Sequence, residues 1–169
     1  EGRQPDLSQR IFTFVKRVAE GVKAAGSDKG IGIFAYTYYR KPPRKIATLP
    51  DNVYLSFTYN TSYFNDPGCK EDFLGMMDAW REKGVKMVGR EYWGMHYWLD
   101  LPVLQTAGIA ENVPLIAKKG FIALYGEGGR NFSTMAPNYY LLTRLMWNPS
   151  EDPEAILADQ ARPALTAWL

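Results

Sequence analysis

Apolar residues recur at three- and four-residue spacing from Ser8 onward, at Ile11, Phe12, Phe14, Val15, Val18, Ala19 and Val22, with Lys16, Arg17, Glu20 and Lys23 between them. The spacing predicts an amphipathic helix capped by Ser8 and stopped near Gly26. The next apolar run, Gly30 to Tyr36, is too continuous for a half-exposed strand and too short for a helix, so it predicts a buried parallel strand. Pro42 and Pro43 forbid a regular helix after it, and a loop must make the connection. Val53 to Tyr59 is rich in strand formers and predicts a second strand, with the turn-rich stretch Asn60 to Gly68 behind it.

From Lys70 to Lys83, Phe73, Met76, Met77 and Trp80 share one helical face, and Gly84 closes the helix before a third strand that starts near Val85. An aromatic loop lies between Tyr92 and Pro102. The clearest helical piece after it runs from Asn112 to Lys119, where Gly120 ends it, and Phe121 to Tyr125 predicts a fourth strand. Tyr139, Tyr140, Leu142, Leu145 and Met146 mark a further helix ending at Trp147-Asn148-Pro149. Asp152 as cap and Pro153 at the first helical position predict a short last helix through Leu157.

Alternating strands and helices imply an α/β fold: a mostly parallel sheet, helices covering it, and loops at the strand carboxyl ends free to hold chemistry. Four strands are too few for an eight-stranded barrel, which takes about 250 residues. Residues 1–169 are therefore expected to form a single domain that is half of a TIM-type (β/α)8 barrel, either a fragment or a chain whose other half lies elsewhere. The start at Glu1 rather than Met points the same way.

Composition narrows the partners. Twenty basic residues against eighteen acidic ones, with no continuous basic stripe, argue against nucleic acid. No apolar stretch reaches the roughly 18 residues of a membrane span. Cys69 and His96 are each the sole residue of their type, so neither a disulfide, a cysteine cluster nor a zinc site is expected. Gly126-Glu127-Gly128-Gly129 lacks the spaced third glycine and the lysine of nucleotide-binding loops, and no cofactor is expected.

The chemistry that remains is carboxylate chemistry among aromatic rings. Glu91 and Glu127 each stand where an apolar strand gives way to a turn, so parallel strands would bring both to one rim. Glycoside hydrolysis needs one carboxyl as proton donor and one as nucleophile or base, roughly 5 to 5.5 Å apart for retention or roughly 6.5 to 9.5 Å for inversion. Tyr36, Tyr38, Tyr59, Trp93, Tyr97, Trp98 and Tyr125 cluster at predicted strand ends, where flat rings pack against sugar C–H faces; Trp93 and Tyr36 lead this set. His96 would donate to a sugar hydroxyl, and Arg130 would grip a substrate carboxylate. Against this stands a plainer reading: the glutamates anchor loops or pair with Arg90 or Arg130, and the rings fill the core.

The ordered motifs Ser8-Gln9-Arg10-Ile11, Phe34-Ala35-Tyr36, Pro42-Pro43, Asp51-Asn52-Val53, Glu91-Tyr92-Trp93, Leu99-Asp100-Leu101-Pro102, Gly120-Phe121, Gly126-Glu127-Gly128 and Leu145-Met146-Trp147-Asn148-Pro149 run from Ser8 to about Ala158. Together they resemble a bacterial glycoside-hydrolase-like barrel family catalogued as a domain of unknown function and related to α-glucuronidase and hexosaminidase barrels. The resemblance implies the carboxyl-terminal half of a (β/α)8 barrel, a carbohydrate partner, polysaccharide breakdown, and a secreted or periplasmic location. It also implies Glu91 and Glu127 as strand-end acids. The sugar-binding set expected beside them, Tyr36, Tyr59, Trp93, His96, Trp98, Tyr125 and Arg130, rests on the positions and chemistry of those residues. The competing expectation is a non-catalytic carbohydrate-binding or scaffold barrel that keeps the aromatic platform.

Overall fold

The computed structural model describes residues 6–93, 103–127 and 132–166. Four parallel strands, β1 (Ile31–Ala35), β2 (Val53–Thr58), β3 (Lys86–Glu91) and β4 (Phe121–Gly126), form one sheet in the order β1-β2-β3-β4. Each strand pairs with the one before it in the chain, the arrangement found in half of a barrel. Helix α1 (Ser8–Ala24) precedes β1, α2 (Pro67–Arg81) joins β2 to β3, α3 (Thr106–Lys118) joins β3 to β4, and α4 (Phe132–Trp147) and α5 (Pro153–Thr166) follow.

The two faces of the sheet differ. Ala35, Val53, Leu55, Phe57 and Met87 are buried against Phe12, Val15 and Ala19 of α1 and Phe73, Met76, Met77 and Trp80 of α2. Alternate residues on the opposite face, Phe34, Tyr54, Tyr125 and, at the strand ends, Tyr36, remain exposed. All five helices follow from the hydrophobic pattern, and α1 meets β1, α2 meets β3 and α3 meets β4.

Between β1 and β2 the prolines leave no helix, and the core there is closed by the loop itself. Ile46 and Leu49 are buried. The α2 region pins the loop: Trp80 Nε1 donates to Arg40 O at 2.8 Å, Lys83 Nζ to Ile46 O at 2.6 Å, and the Leu49 amide to Lys83 O at 3.0 Å. A second apolar cluster gathers Ile109 and Val113 of α3, Leu141, Leu142 and Leu145 of α4, Ile156 of α5, and Trp93.

Several element ends differ from expectation, each for a local reason. Ser8 is the first helical residue rather than the cap; its amide donates to Asp6 Oδ1 at 3.0 Å, so Asp6 supplies the capping oxygen. Helix α2 begins at Pro67 because Asp66 accepts from the Cys69 amide at 2.9 Å. Helices α3 and α4 begin at Thr106 and Phe132, upstream of the strongest periodicity, and carry Pro114 and Pro137 within them. Asp152 accepts from the Glu154 amide at 3.0 Å as its position predicts, but α5 runs on to Thr166.

The strand pairing contains one irregularity with large consequences. Met87 pairs with Phe121, whereas Val88 pairs with Ala123, so Ile122 is an extra residue in β4. Side chains alternate faces along a strand, and one inserted residue reverses the phase of everything beyond it. Leu124 and Gly126 therefore fall on the covered face with Gly89 and Glu91, and Tyr125 falls on the open face with Arg90.

Candidate functional site at the strand carboxyl ends

Glu91 ends β3 on the covered face and is 1% exposed. Its Oε2 accepts from the Thr61 amide and its Oε1 from its neighbour Tyr92's amide, both at 2.8 Å. Thr61 opens a 3-10 turn, Thr61–Asn65, so the carboxyl ties the segment after β2 to the end of β3. Burial pushes the Glu91 carboxyl up to about 8, against the lowering effect of those two amides and of the Thr61 side chain.

Glu127 stands on the other face. Its backbone amide donates to Glu91 O at 3.2 Å, while its carboxylate is ion-paired with the Arg90 guanidinium and its side chain is 39% exposed. Arg90 lies over the Tyr92 ring at 4.8 Å and the Phe34 ring at 5.8 Å. It also donates to Tyr92 Oη at 2.6 Å, and Tyr92 Oη lies 3.3 Å from Tyr36 Oη. Burial lowers the Arg90 guanidinium, but Tyr92, Glu127 and Tyr125 outweigh that and hold it above its ordinary range. On β2, Ser56 Oγ and Tyr125 Oη are hydrogen-bonded at 2.7 Å.

The two glutamates expected to converge are thus divided by the sheet. The extra residue in β4 separates them: without it, positions 91 and 127 would share a face. Of the expected sugar-binding residues, Tyr36 and Tyr125 stand on the open face near Glu127. Tyr59 does not; it is 1% exposed, stacked between Phe57 and Phe64, and its phenol is driven well above its ordinary range by burial and by Glu91. Trp93 is 3% exposed in the second apolar cluster and is core rather than platform. His96, Trp98 and Arg130 lie outside the described residues.

Arg90 and Tyr92 are the site residues that the sequence reading left out of its binding set. Their signal was the period of two, since 88, 90 and 92 share the face that carries Phe34 and Tyr36. Among the described residues no three acids, histidines or cysteines gather as a metal site would require, and no helix is long and apolar enough to cross a membrane.

Residues 1–165 match a protein-family model. The chain belongs to the family described as Domain of unknown function (DUF4838). No curated protein matches the chain, and no solved structure does. For this DUF4838 chain the arrangement at the strand ends therefore carries the functional argument: a carboxylate and a guanidinium among three tyrosines and a phenylalanine, at the end of the sheet where parallel α/β folds hold their ligands.

Proposed function

We propose that the open strand-end face binds carbohydrate as part of a glycoside-hydrolase-type barrel, with Glu127 as the rim carboxylate. The observation that carries this reading is the grouping of Tyr36, Tyr92, Tyr125, Arg90 and Glu127 on one exposed face. Aromatic rings stack on sugar faces, and a paired carboxylate and guanidinium offer acceptors and forked donors to ring hydroxyls or to a uronate. A polysaccharide substrate would fit an exported enzyme.

Binding is the part of the proposal that these residues can perform together. Hydrolysis needs a second carboxyl facing Glu127, and Glu91, buried on the reverse side and holding two backbone amides, is not placed to serve. In this reading Glu91 is a positioning residue that fixes Tyr92 beside Arg90, and the second acid comes from the remainder of the barrel. The alternative, a non-catalytic carbohydrate-binding barrel, is favoured by the ion pair that already engages Glu127.

Oligosaccharide binding and aryl-glycoside turnover, measured on wild type, Glu127→Gln and Tyr36→Ala, separate the cases. Loss of turnover by about 100-fold or more in Glu127→Gln with binding retained assigns a catalytic carboxyl. Binding lost in Tyr36→Ala without any turnover in wild type assigns the binding-only barrel. Unchanged binding and turnover in both variants would remove the proposal.

A further inference from the structure

On the open strand-end face, Arg90 is held in place by contacts that do not involve Glu127. Its guanidinium lies over the Tyr92 and Phe34 rings, and Nη1 donates to Tyr92 Oη at 2.6 Å. Tyr92 is fixed in turn, because its amide donates to the buried Glu91 carboxyl. Within the Arg90–Glu127 ion pair the arginine side chain is 19% exposed and the glutamate 39%, so Glu127 is the member more open to solvent.

The pairing of the two is also incomplete. A guanidinium and a carboxylate fit each other best as two forks, joined by two parallel N–H···O bonds. Here one oxygen, Oε1, meets one nitrogen, Nη2. The remaining N–H donors of Arg90 have no partner among the described residues, and none of its nitrogens is both buried and unpartnered, so solvent reaches those donors. The guanidinium is a preformed carboxylate receptor that Glu127 fills at one point.

We infer that the strand-end site takes an acidic sugar, whose carboxylate engages the Arg90 fork in two bonds and displaces Glu127 from it while the ring rests against Tyr36 or Tyr125. The inference rests on the carbohydrate reading and adds to it the charge of the ligand and an exchange of partners. A neutral sugar must either leave the ion pair intact and use single leftover donors, or break it and leave Arg90 without an anion. An acidic sugar substitutes one carboxylate for another, in the better geometry. Tyr36 and Tyr125, 41% and 40% exposed, are the rings open to such a ligand beside Arg90. Glu127, no longer held by Arg90, then becomes a rim carboxylate able to act as acid or base, although its charge repels that of the ligand.

D-Glucuronate and D-glucose make the test, since they differ only in a carboxylate or a hydroxymethyl group at C6; propionate offers a carboxylate without a ring. With amide-resolved NMR on the ¹⁵N-labelled chain, glucuronate is expected to shift the Arg90, Tyr92 and Glu127 resonances saturably, about tenfold more tightly than glucose and about threefold more tightly than propionate. Glu127→Gln removes the competing carboxylate and its repulsion, and should tighten glucuronate about two- to fivefold. Arg90→Lys keeps the charge without the fork, and should erase most of the preference for glucuronate over glucose. Equal affinity for the two sugars, glucuronate weakened in Glu127→Gln, or a full preference retained in Arg90→Lys overturns the inference and leaves the carbohydrate reading standing. Propionate as tight as glucuronate, or no saturable shift with either sugar up to about 50 mM, overturns both.

Discussion

The two faces of the sheet have similar sequence and opposite fates. The covered face presents Leu55, Phe57, Met87 and Gly89 to helices, and the open face presents Phe34, Tyr54, Arg90 and Tyr125 to solvent. Both contain large apolar rings, so hydrophobicity did not distinguish them; what distinguishes them is which side the helices take. The covered side buys stability, while the open side, with its guanidinium and carboxylate, holds the groups able to meet a ligand.

The sharpest contrast is in core truncation. Trp80→Ala removes a side chain that is fully buried, packs edge-on against Phe12 at 4.7 Å and donates to Arg40 O, and should cost about 3 to 5 kcal/mol in urea denaturation. Phe34→Ala on the open face should cost less than about 1 kcal/mol; equal losses would mean that the open face is covered in solution.

Next in size is a pH effect confined to the covered face. The folded state holds the Glu91 proton to about pH 8, whereas the unfolded chain releases it near the ordinary value of 4.5. The folded state therefore binds more protons between those values, and stability is greatest below the unfolded value and falls as pH rises through about 8. Full expression of the shift would be on the order of 5 kcal/mol. Denaturation midpoints at pH 5 and pH 9 should separate in wild type and draw together in Glu91→Gln. That variant is also expected to be less stable than wild type at pH 5, because its NH2 group cannot accept one of the two backbone amides.

Gly126→Ala tests where the two faces meet. A Cβ there would stand 2.6 Å from a Trp93 ring carbon and 2.9 Å from Glu91 O, contacts that force the strand end to shift. A loss of about 1 to 3 kcal/mol is expected by thermal melting. The smallest stability effect belongs to Arg90→Ala: its ion pair with Glu127 is partly solvated and worth less than about 1 kcal/mol, but sugar affinity should fall about tenfold. A large stability loss with unchanged affinity would assign Arg90 a structural role instead.

Much of the architecture was legible. All four strands begin within a residue or two of their expected positions, because short continuous apolar runs flanked by turn residues have few other solutions. Gly26, Gly84 and Gly120, placed as helix stops from sequence, adopt positive φ of 74°, 75° and 86°. The candidate site was less legible. Assigning Glu91 and Glu127 to one face assumed unbroken alternation in β4, and nothing in Phe121-Ile122-Ala123 signals that Ile122 is an extra residue. Tyr59 and Trp93 were drawn to the rim by their position in the chain, when parity and the helices place both in the interior.

At both margins of the sheet the ladder stops: among the described residues β1 pairs only with β2, and β4 only with β3. Each outer strand consequently presents a row of backbone donors and acceptors that no other described strand satisfies. Left by itself, a molecule with two such adhesive borders is primed to stack edge to edge with its own kind, and the concentration at which it does so sets the ceiling for handling it as a monomer.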